Sequence, residues 1–327
     1  MIREVLNMDA ILHKIGSLGI IPVVKIDNAG DAVPLGKALI DGGLPAAEIT
    51  FRTEAAEAAI RSITKEYPDL LVGAGTILDI EQTKRAVDAG AKFIVSPGFS
   101  RPLVEYCLKE RIPVTPGCSN PSDMTEAVLC GLEVVKFFPS EACGGINALK
   151  AMSAPFGSLK FMPTGGIDPK NLMSYLSFDK VLACGGSWMV REQLVNEGRF
   201  DEITRLTAEA VRLMLGFELA HIGINAENAD ESLLLAEKLS YMFGFPLKQG
   251  NSSSFSGTSF EIMKRPGRGQ HGHIAMRTNS LVRAAAYLER NGAKLDISSI
   301  NGTLEQASAV YLRNEIGGFA LHLLQKK

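Results

Sequence analysis

Short apolar runs rich in β-branched residues recur every twenty to twenty-five residues over the first two-thirds of the chain, at 20–26, 46–51, 70–75, 92–96, 112–115, 134–138, 160–163 and 181–184. Amphipathic stretches with helical spacing lie between them, among them 32–40, 54–65, 80–89, 102–110 and 169–176, and a last one covers 202–215. Strands alternating with helices predict a parallel sheet. Eight regular units within about 200 residues favour closure into a compact (β/α)8 TIM barrel over an open doubly wound sheet. In such a barrel, chemistry belongs at the C-terminal ends of the strands.

The pattern changes after Gly216, a plausible helix stop. A strand at 221–224 and a helix at 230–243, capped by Asp230, are followed by strands at 247–250 and 255–264. The order then restarts with a strand at 273–276, a helix at 281–290 and strands near 294–299, 309–313 and 319–324. Each half opens with His-Ile and a small residue, His221-Ile222-Gly223 and His273-Ile274-Ala275. The reading is an α/β barrel over 1–216 and a second, smaller α+β domain of paired βαβββ units over 217–327.

Composition narrows the function classes. The net charge is −2, and no basic block interleaves with aromatics, so neither nucleic acid nor an anionic membrane is expected as a partner. No uncharged apolar stretch of spanning length and no cleavable leader pattern is present, which makes a cytoplasmic protein the expectation. The five cysteines are odd in number and widely spaced, offering neither a disulfide framework nor a metal knuckle. All of them precede residue 217.

Lys136 is the most informative single residue, because its nearest neighbours in Val134-Val135-Lys136-Phe137-Phe138 are all apolar. An ammonium buried without a partner is costly, and the neutral amine that desolvation favours is a nucleophile able to form a Schiff base with a carbonyl substrate. The alternative is a lysine whose stem packs while its head snorkels to water. In Ala47-Glu48-Ile49-Thr50-Phe51-Arg52, period-two alternation puts Glu48, Thr50 and Arg52 on one face, and if the apolar set faces the outer helices, an acid and a guanidinium point into the barrel. The competing reading, an exposed helical i,i+4 pair, fits the β-branched run poorly. Thr76 closes Gly73-Ala74-Gly75-Thr76, whose small residues leave space for a ligand, and Pro97 follows Ser96 at the end of the fourth run. The pairs Gly165-Gly166 after the seventh run and Gly185-Gly186 before Ser187 after the eighth fall where many barrels hold a phosphate on bare backbone N–H groups. Each could also be an ordinary Gly-rich turn.

Taken in order, Glu-Ile-Thr-Phe-Arg-Thr (48–53), Gly-Ala-Gly-Thr (73–76), Ser-Pro-Gly-Phe (96–99), Val-Lys-Phe-Phe-Pro-Ser-Glu (135–141), Pro-Thr-Gly-Gly-Ile (163–167) and Gly-Gly-Ser-Trp (185–188) resemble the 2-keto-3-deoxy-6-phosphogluconate aldolase family, which includes 4-hydroxy-2-oxoglutarate aldolase activity. The resemblance runs in register over about 8–215. It implies a cofactor-free class I aldolase of small 2-keto-acid substrates, usually a homotrimer. It makes Lys136 the Schiff-base lysine and Glu48 the general acid/base. Arg52 and Thr76 match the groups that hold the pyruvate carboxylate, Phe138 and Pro97 match pocket walls, and Thr164, Gly165, Gly166, Gly186 and Ser187 match the surroundings of the distal hydroxyls and phosphate. Cys143 departs from the pattern, standing where an Asn-like residue is expected. A reading of another class is a non-catalytic sugar-phosphate sensor, although a sensor has no need of a desolvated amine.

The duplicated βαβββ order after 217 resembles the vicinal-oxygen-chelate superfamily of glyoxalases, extradiol dioxygenases and antibiotic-binding proteins. Those folds take one metal ligand from each of four strands, and the matching positions are His221, Glu261, His273 and His322. Three of the five histidines of the chain fall on this set, and imidazole with carboxylate suits a divalent metal such as Zn, Ni, Fe or Mn. A histidine at the last position departs from the commoner glutamate. A metal-free binding or oligomerisation module is the alternative.

Overall fold

The computed structural model describes residues 8–326; residues 1–7 and 327, which belong to the two predicted domains, lie outside the described residues. The chain divides into two compact units, Met1–Met214 and Leu215–Lys327. Among the described residues no helix is long and apolar enough to cross a membrane.

In the first unit, strands β1 (Ile20–Val24), β2 (Ala46–Thr50), β3 (Leu71–Gly75), β4 (Phe93–Val95), β5 (Val114–Thr115), β6 (Gly117–Cys118), β7 (Val134–Phe137), β8 (Lys160–Pro163) and β9 (Cys184–Gly186) alternate with helices. Their pairings are parallel throughout and make a curled sheet, in the order β5-β4-β3-β2-β1-β9 and separately β6-β7-β8. Parallel bridges Phe161↔Val181 and Thr164↔Gly185 link β8 to the segment that ends in β9. The core is built from both faces of these strands, with Phe93, Phe137, Phe161, Ile20 and Ile21 nearly or wholly excluded from solvent.

Two sequence expectations shift here. The fifth run, predicted to end at Thr115, continues past Pro116 into β6. Pro116 has no N–H to give to a ladder, so the strand changes partner there, β5 pairing with β4 and β6 with β7. The eighth run, predicted at 181–184, is a strand at Cys184–Gly186, so its glycine pair sits inside the strand rather than in a loop after it. Val181 takes part in the sheet through an isolated bridge to Phe161. Helices at Met8–Leu18, Pro121–Leu129, Gly145–Ser153 and Glu192–Asn196 complete the alternation where no amphipathic stretch had been singled out.

The second unit is a single sheet of β10 (Glu218–Asn225), β11 (Leu247–Gln249), β12 (Ser253–Ser256), β13 (Phe260–Met263), β14 (Gly272–Thr278), β15 (Leu295–Asp296), β16 (Ala309–Leu312) and β17 (Phe319–Gln325), with helices Ala229–Phe243 and Leu281–Arg290. The order β11-β12-β13-β10-β14-β17-β16-β15 is symmetric about the antiparallel β10/β14 pair. Each half therefore repeats strand, helix and three strands. The predicted single strand at 255–264 is a correction: it contains a reversal at Gly257, whose φ of +62° turns the chain between β12 and β13. The first helix is capped by Asn228, whose Oδ1 accepts from the N–H groups of Asp230 and Glu231, rather than by Asp230.

Because the first unit holds its own core and ends beside the left-handed Gly216 (φ +55°), a fragment of residues 1–216 is expected to be soluble and to melt cooperatively. Circular dichroism melting checks this, and an insoluble fragment would show that the second unit is needed for the first to fold.

Candidate active site and candidate metal centre

In the first unit the lysine and the acid singled out from sequence meet. Lys136 Nζ donates to Glu48 Oε1 at 3.2 Å, and the two residues are 5% and 0% exposed. Lys136 is on β7 and Glu48 on β2, so only the curl of the sheet brings them together. The second carboxylate oxygen, Glu48 Oε2, is buried with no hydrogen-bond partner among the described residues. Lys136 Nζ also lies 4.9 Å from the centroid of the Phe138 ring. A buried acceptor left over beside a buried amine is an arrangement that pure stability does not favour, since a buried pair of this kind is often worth no more than an apolar replacement.

Glycine makes room for this pair. A Cβ on Gly75 would stand 2.1 Å from Glu48 Oε1, and one on Gly73 2.2 Å from the Phe93 ring, so these two glycines give room to the Glu48 carboxylate and to Phe93. Thr76 follows with φ +58° and accepts from Arg52 Nε at 3.3 Å. Arg52 lies just beyond the end of β2, while Thr50 on the same face donates to Val24 O at 2.9 Å. Pro97 is one step removed: its carbonyl backs onto Gly117, which pairs with Lys136 in the β6/β7 register.

A cleft of about 630 Å³ opens over these strand ends. Arg52, Phe138, Thr164, Gly165, Gly166, Gly185, Gly186 and Ser187 line it, as the sequence positions predict; Glu48, Thr76, Pro97 and Lys136 are not among its lining residues. Lys136 is joined to it through Phe138, and Thr76 through Arg52. Sequence reasoning missed Lys25, Trp188 and Arg191, which also line it. Lys25 could have been found, because it lies directly after β1 on the same C-terminal edge. Its ammonium pairs with Glu192 and, at 3.1 Å, with Asp27; the bond to Glu192, then that to Asp27, holds its pKa above the ordinary lysine value.

The second unit assembles its own cluster. The ring nitrogens of His221, His273 and His322 offer donor atoms within 4.8 Å of one another. Glu261 Oε2 lies 3.1 Å from His221 Nε2 and 3.5 Å from His273 Nε2, and Glu261 Oε1 accepts from Ser253 Oγ at 2.6 Å. All four positions taken from the sequence thus converge. The register explains how: Glu261, Gly223, His273 and Ala320 form one cross-strand row, and His221, Ala275, His322 and Tyr311 form the next. Small residues alternate with the donors, and a Cβ on Gly223 would stand 2.1 Å from the His273 ring. Tyr311, not foreseen, stacks on His322 at 4.6 Å between centroids; its place opposite His322 in the ladder was the available signal.

The electrostatics fit a cation. Hydrogen bonds from His221, then from His273, hold the Glu261 carboxyl well below the usual carboxylate range. Burial, reinforced by His273 and His221, pushes the His322 imidazole down to about 4, so the ring is neutral at ordinary pH. Both nitrogens of His322 are buried without a hydrogen-bond partner among the described residues. Three imidazoles and one carboxylate suit a borderline transition metal.

Comparison with known proteins bears on the first unit. The family profile for KDPG and KHG aldolases matches residues 11–206. The chain belongs to this family. It is a class I aldolase, a carbon–carbon lyase. The 2-dehydro-3-deoxy-phosphogluconate aldolase of Haemophilus influenzae is 44% identical over 204 residues, covering 62% of this chain and 96% of that protein. The KHG/KDPG aldolase of Escherichia coli is 44% identical over 192 residues, or 59% of this chain and 90% of that one. Among solved structures, KDPG aldolase from Legionella pneumophila, with pyruvate captured as a covalent carbinolamine, is 39% identical with a TM-score of 0.59, covering 62% of this chain and 97% of its own. The Zymomonas mobilis enzyme with 3-phosphoglycerate is 37% identical with a TM-score of 0.58, over 63% of this chain and 95% of its own. The family match ends at residue 206, before the second unit begins.

Replacing Gly75 with alanine is expected to push the Glu48 carboxylate off its place and lower turnover by ~10²-fold or more, the range for losing a general acid/base. Steady-state kinetics beside a melting curve checks this; unchanged turnover would mean that Glu48 need not occupy that place.

Proposed function

We propose that the first unit cleaves 2-keto-3-deoxy-6-phosphogluconate to pyruvate and glyceraldehyde 3-phosphate through a Schiff base on Lys136, and also cleaves 4-hydroxy-2-oxoglutarate to pyruvate and glyoxylate. The observation that carries this reading is the buried Lys136–Glu48 pair at 3.2 Å, held at the C-terminal side of a curled parallel sheet in a member of this aldolase family. On this reading the pairings close into an eight-stave (β/α)8 barrel, with β5 and β6 as one stave broken at Pro116, and the domains are 1–216 and 217–327. A homotrimer in the cytoplasm fits the family resemblance and the five cysteines, which form no disulfide among the described residues.

Glu48 is the group placed to take the proton that Lys136 must lose before it attacks. The neutral amine adds to the C2 ketone, and the C2 oxygen, protonated, leaves as water to give an iminium. Glu48, again a carboxylate, removes the C4 hydroxyl proton as the C3–C4 bond breaks, and the electron pair moves into the iminium to give an enamine. The aldehyde departs, Glu48 returns the proton to C3, and water hydrolyses the iminium to pyruvate and free Lys136. Arg52 and Thr76, already hydrogen-bonded to each other, hold the substrate carboxylate. Phe138 walls the reacting carbons, and Pro97 backs that wall from behind Gly117. Thr164, Gly165, Gly166, Gly185, Gly186 and Ser187, all lining the cleft, take the distal hydroxyls and phosphate.

For the second unit we propose a vicinal-oxygen-chelate-like domain whose His221, Glu261, His273 and His322 hold a divalent transition metal. A metal bound there would supply Lewis-acid polarisation of a ligand oxygen. Ser253, which donates to Glu261, orients that carboxylate, and the Tyr311 ring fixes the plane of His322.

Borohydride reduction in the presence of pyruvate, followed by peptide mass mapping, tests the first proposal. The expected result is one reduced pyruvyl adduct, on Lys136, absent from Lys136→Met, which should also keep no more than trace cleavage; methionine suits the apolar run, so the variant should fold, at a Tm lowered by the stranded Glu48 carboxylate. Labelling of another lysine would overturn it. Metal analysis of the purified full-length protein tests the second: close to one equivalent of a divalent transition metal is expected, lost in the double variant His273→Ala/His322→Ala. No bound metal after reconstitution with Zn, Ni, Fe and Mn would leave the four residues as strand residues without a metal role.

A further inference from the structure

The motif 135–141 ends in Glu141, and the mechanism gives that residue nothing to do. Its surroundings show a task. The carbonyls of three successive residues in the loop after β8 are each taken by a donor on the far side of the loop. Thr164 O accepts from Ser140 N at 2.8 Å, Gly165 O from Glu141 N at 3.0 Å, and Gly166 O from Asn171 Nδ2 at 2.9 Å. A peptide group is planar and trans, so the N–H that follows each carbonyl points the opposite way. Engaging these three carbonyls therefore turns the N–H groups of Gly165, Gly166 and Ile167 away from Ser140, Glu141 and Asn171. Those three residues line the cleft.

The donors are themselves held. Asn171 Oδ1 accepts from Asp168 N at 2.9 Å, which fixes the amide so that its Nδ2 faces Gly166. The Glu141 carboxylate accepts from the buried Tyr175 hydroxyl, and Ser140 Oγ donates to the same phenol oxygen at 2.9 Å. Burial, then the bond to Glu141, keeps the Tyr175 phenol protonated and able to donate. Contact completes the clasp: a Cβ on Gly166 would lie 2.6 Å from both Cβ and Cγ of Glu141, so the Glu141 stem packs directly on the loop backbone.

We propose that Asn171, Glu141 and Tyr175 are positioning residues that aim the N–H groups of Gly165, Gly166 and Ile167 at the distal phosphate, and so set the preference for phosphorylated over unphosphorylated 2-keto-3-deoxy acids. The inference rests on the aldolase reading given above and deepens it. None of the three residues touches the reacting carbons; they act through the direction of the loop.

Two variants test this with the full chain. Asn171→Asp keeps the oxygen that accepts from Asp168 N–H and loses the donor to Gly166 O. Tyr175→Phe keeps the buried ring and loses the hydroxyl that holds Glu141 and Ser140. Each is assayed on 2-keto-3-deoxy-6-phosphogluconate and on 2-keto-3-deoxygluconate, the same carbon chain without the phosphate. The expected outcome is a KM for the phosphorylated substrate raised about tenfold, the scale of weakening a hydrogen bond to a charged group, with kcat within about twofold. The specificity constant for the unphosphorylated substrate should stay unchanged, and inorganic phosphate should lose potency as a competitive inhibitor in the same proportion. Equal losses on both substrates, tracking a fall in Tm, would assign these residues a merely structural role and overturn the proposal. A wild-type preference for the phosphate that survives in both variants overturns it alone. A wild-type enzyme without that preference removes the phosphate assignment itself.

Discussion

A carboxylate and an amine buried together at 3.2 Å constrain everything around them in the first unit. Removing one member would strand the other, at a cost of about 3–5 kcal/mol, whereas the exposed pairs of this unit, such as Lys37–Asp41, are screened by water and contribute little. The protein retains the costly arrangement and leaves Glu48 Oε2 without a partner among the described residues. The neighbours yield to it: Gly75 surrenders its side chain, and Gly117 brings the chain of β6 against Pro97 so that β7 can present Lys136. A reaction that begins by moving a proton between these two groups gives the physical reason for keeping them adjacent and dry.

The two units solve opposite problems with the same device, which is register. In the curled parallel sheet, the residues that act sit at strand ends, so loops and glycines shape the cleft. In the antiparallel-centred sheet, the four side chains sit within strands in two cross-strand rows two residues apart, interleaved with Gly223, Ala275 and Ala320. Small residues between large rings are what lets three imidazoles approach within 4.8 Å without their backbones moving apart. Each half of the duplicated unit contributes two donors, His221 and Glu261 from the first, His273 and His322 from the second.

Much of this was legible in the sequence, for definite reasons. Apolar runs ending in a charged or small residue marked the strand ends, and Lys136, Glu48 and Arg52 were found because a charge inside an apolar β-pattern has few bland explanations. The four donors of the second unit came from family position and were brought together as the ladder requires. What was not legible depended on contacts far apart in sequence. Pro116 looked like the end of a strand, while in space it is where one strand changes partners. Nothing local says that Glu48 packs over Gly75 and the Phe93 ring over Gly73. Lys25 and Arg191 carry no unusual local context and are recognised only once the cleft exists.

The glycine loop after β8 shows why a motif's composition understates its function. Two glycines permit positive φ, here +95° and +81°, and so allow many loop conformations. Permission is not direction. A flexible pair of peptides in water would spread its N–H groups over many orientations and give up binding energy to order them when an anion arrives. Here each carbonyl already has a donor, and those donors are held by Asp168 N–H and the Tyr175 hydroxyl. The ordering is therefore completed on folding, and the substrate meets N–H groups already turned outward. The specificity of such a site lies as much in Asn171, Glu141 and Tyr175 behind the loop as in the glycines that face the cleft.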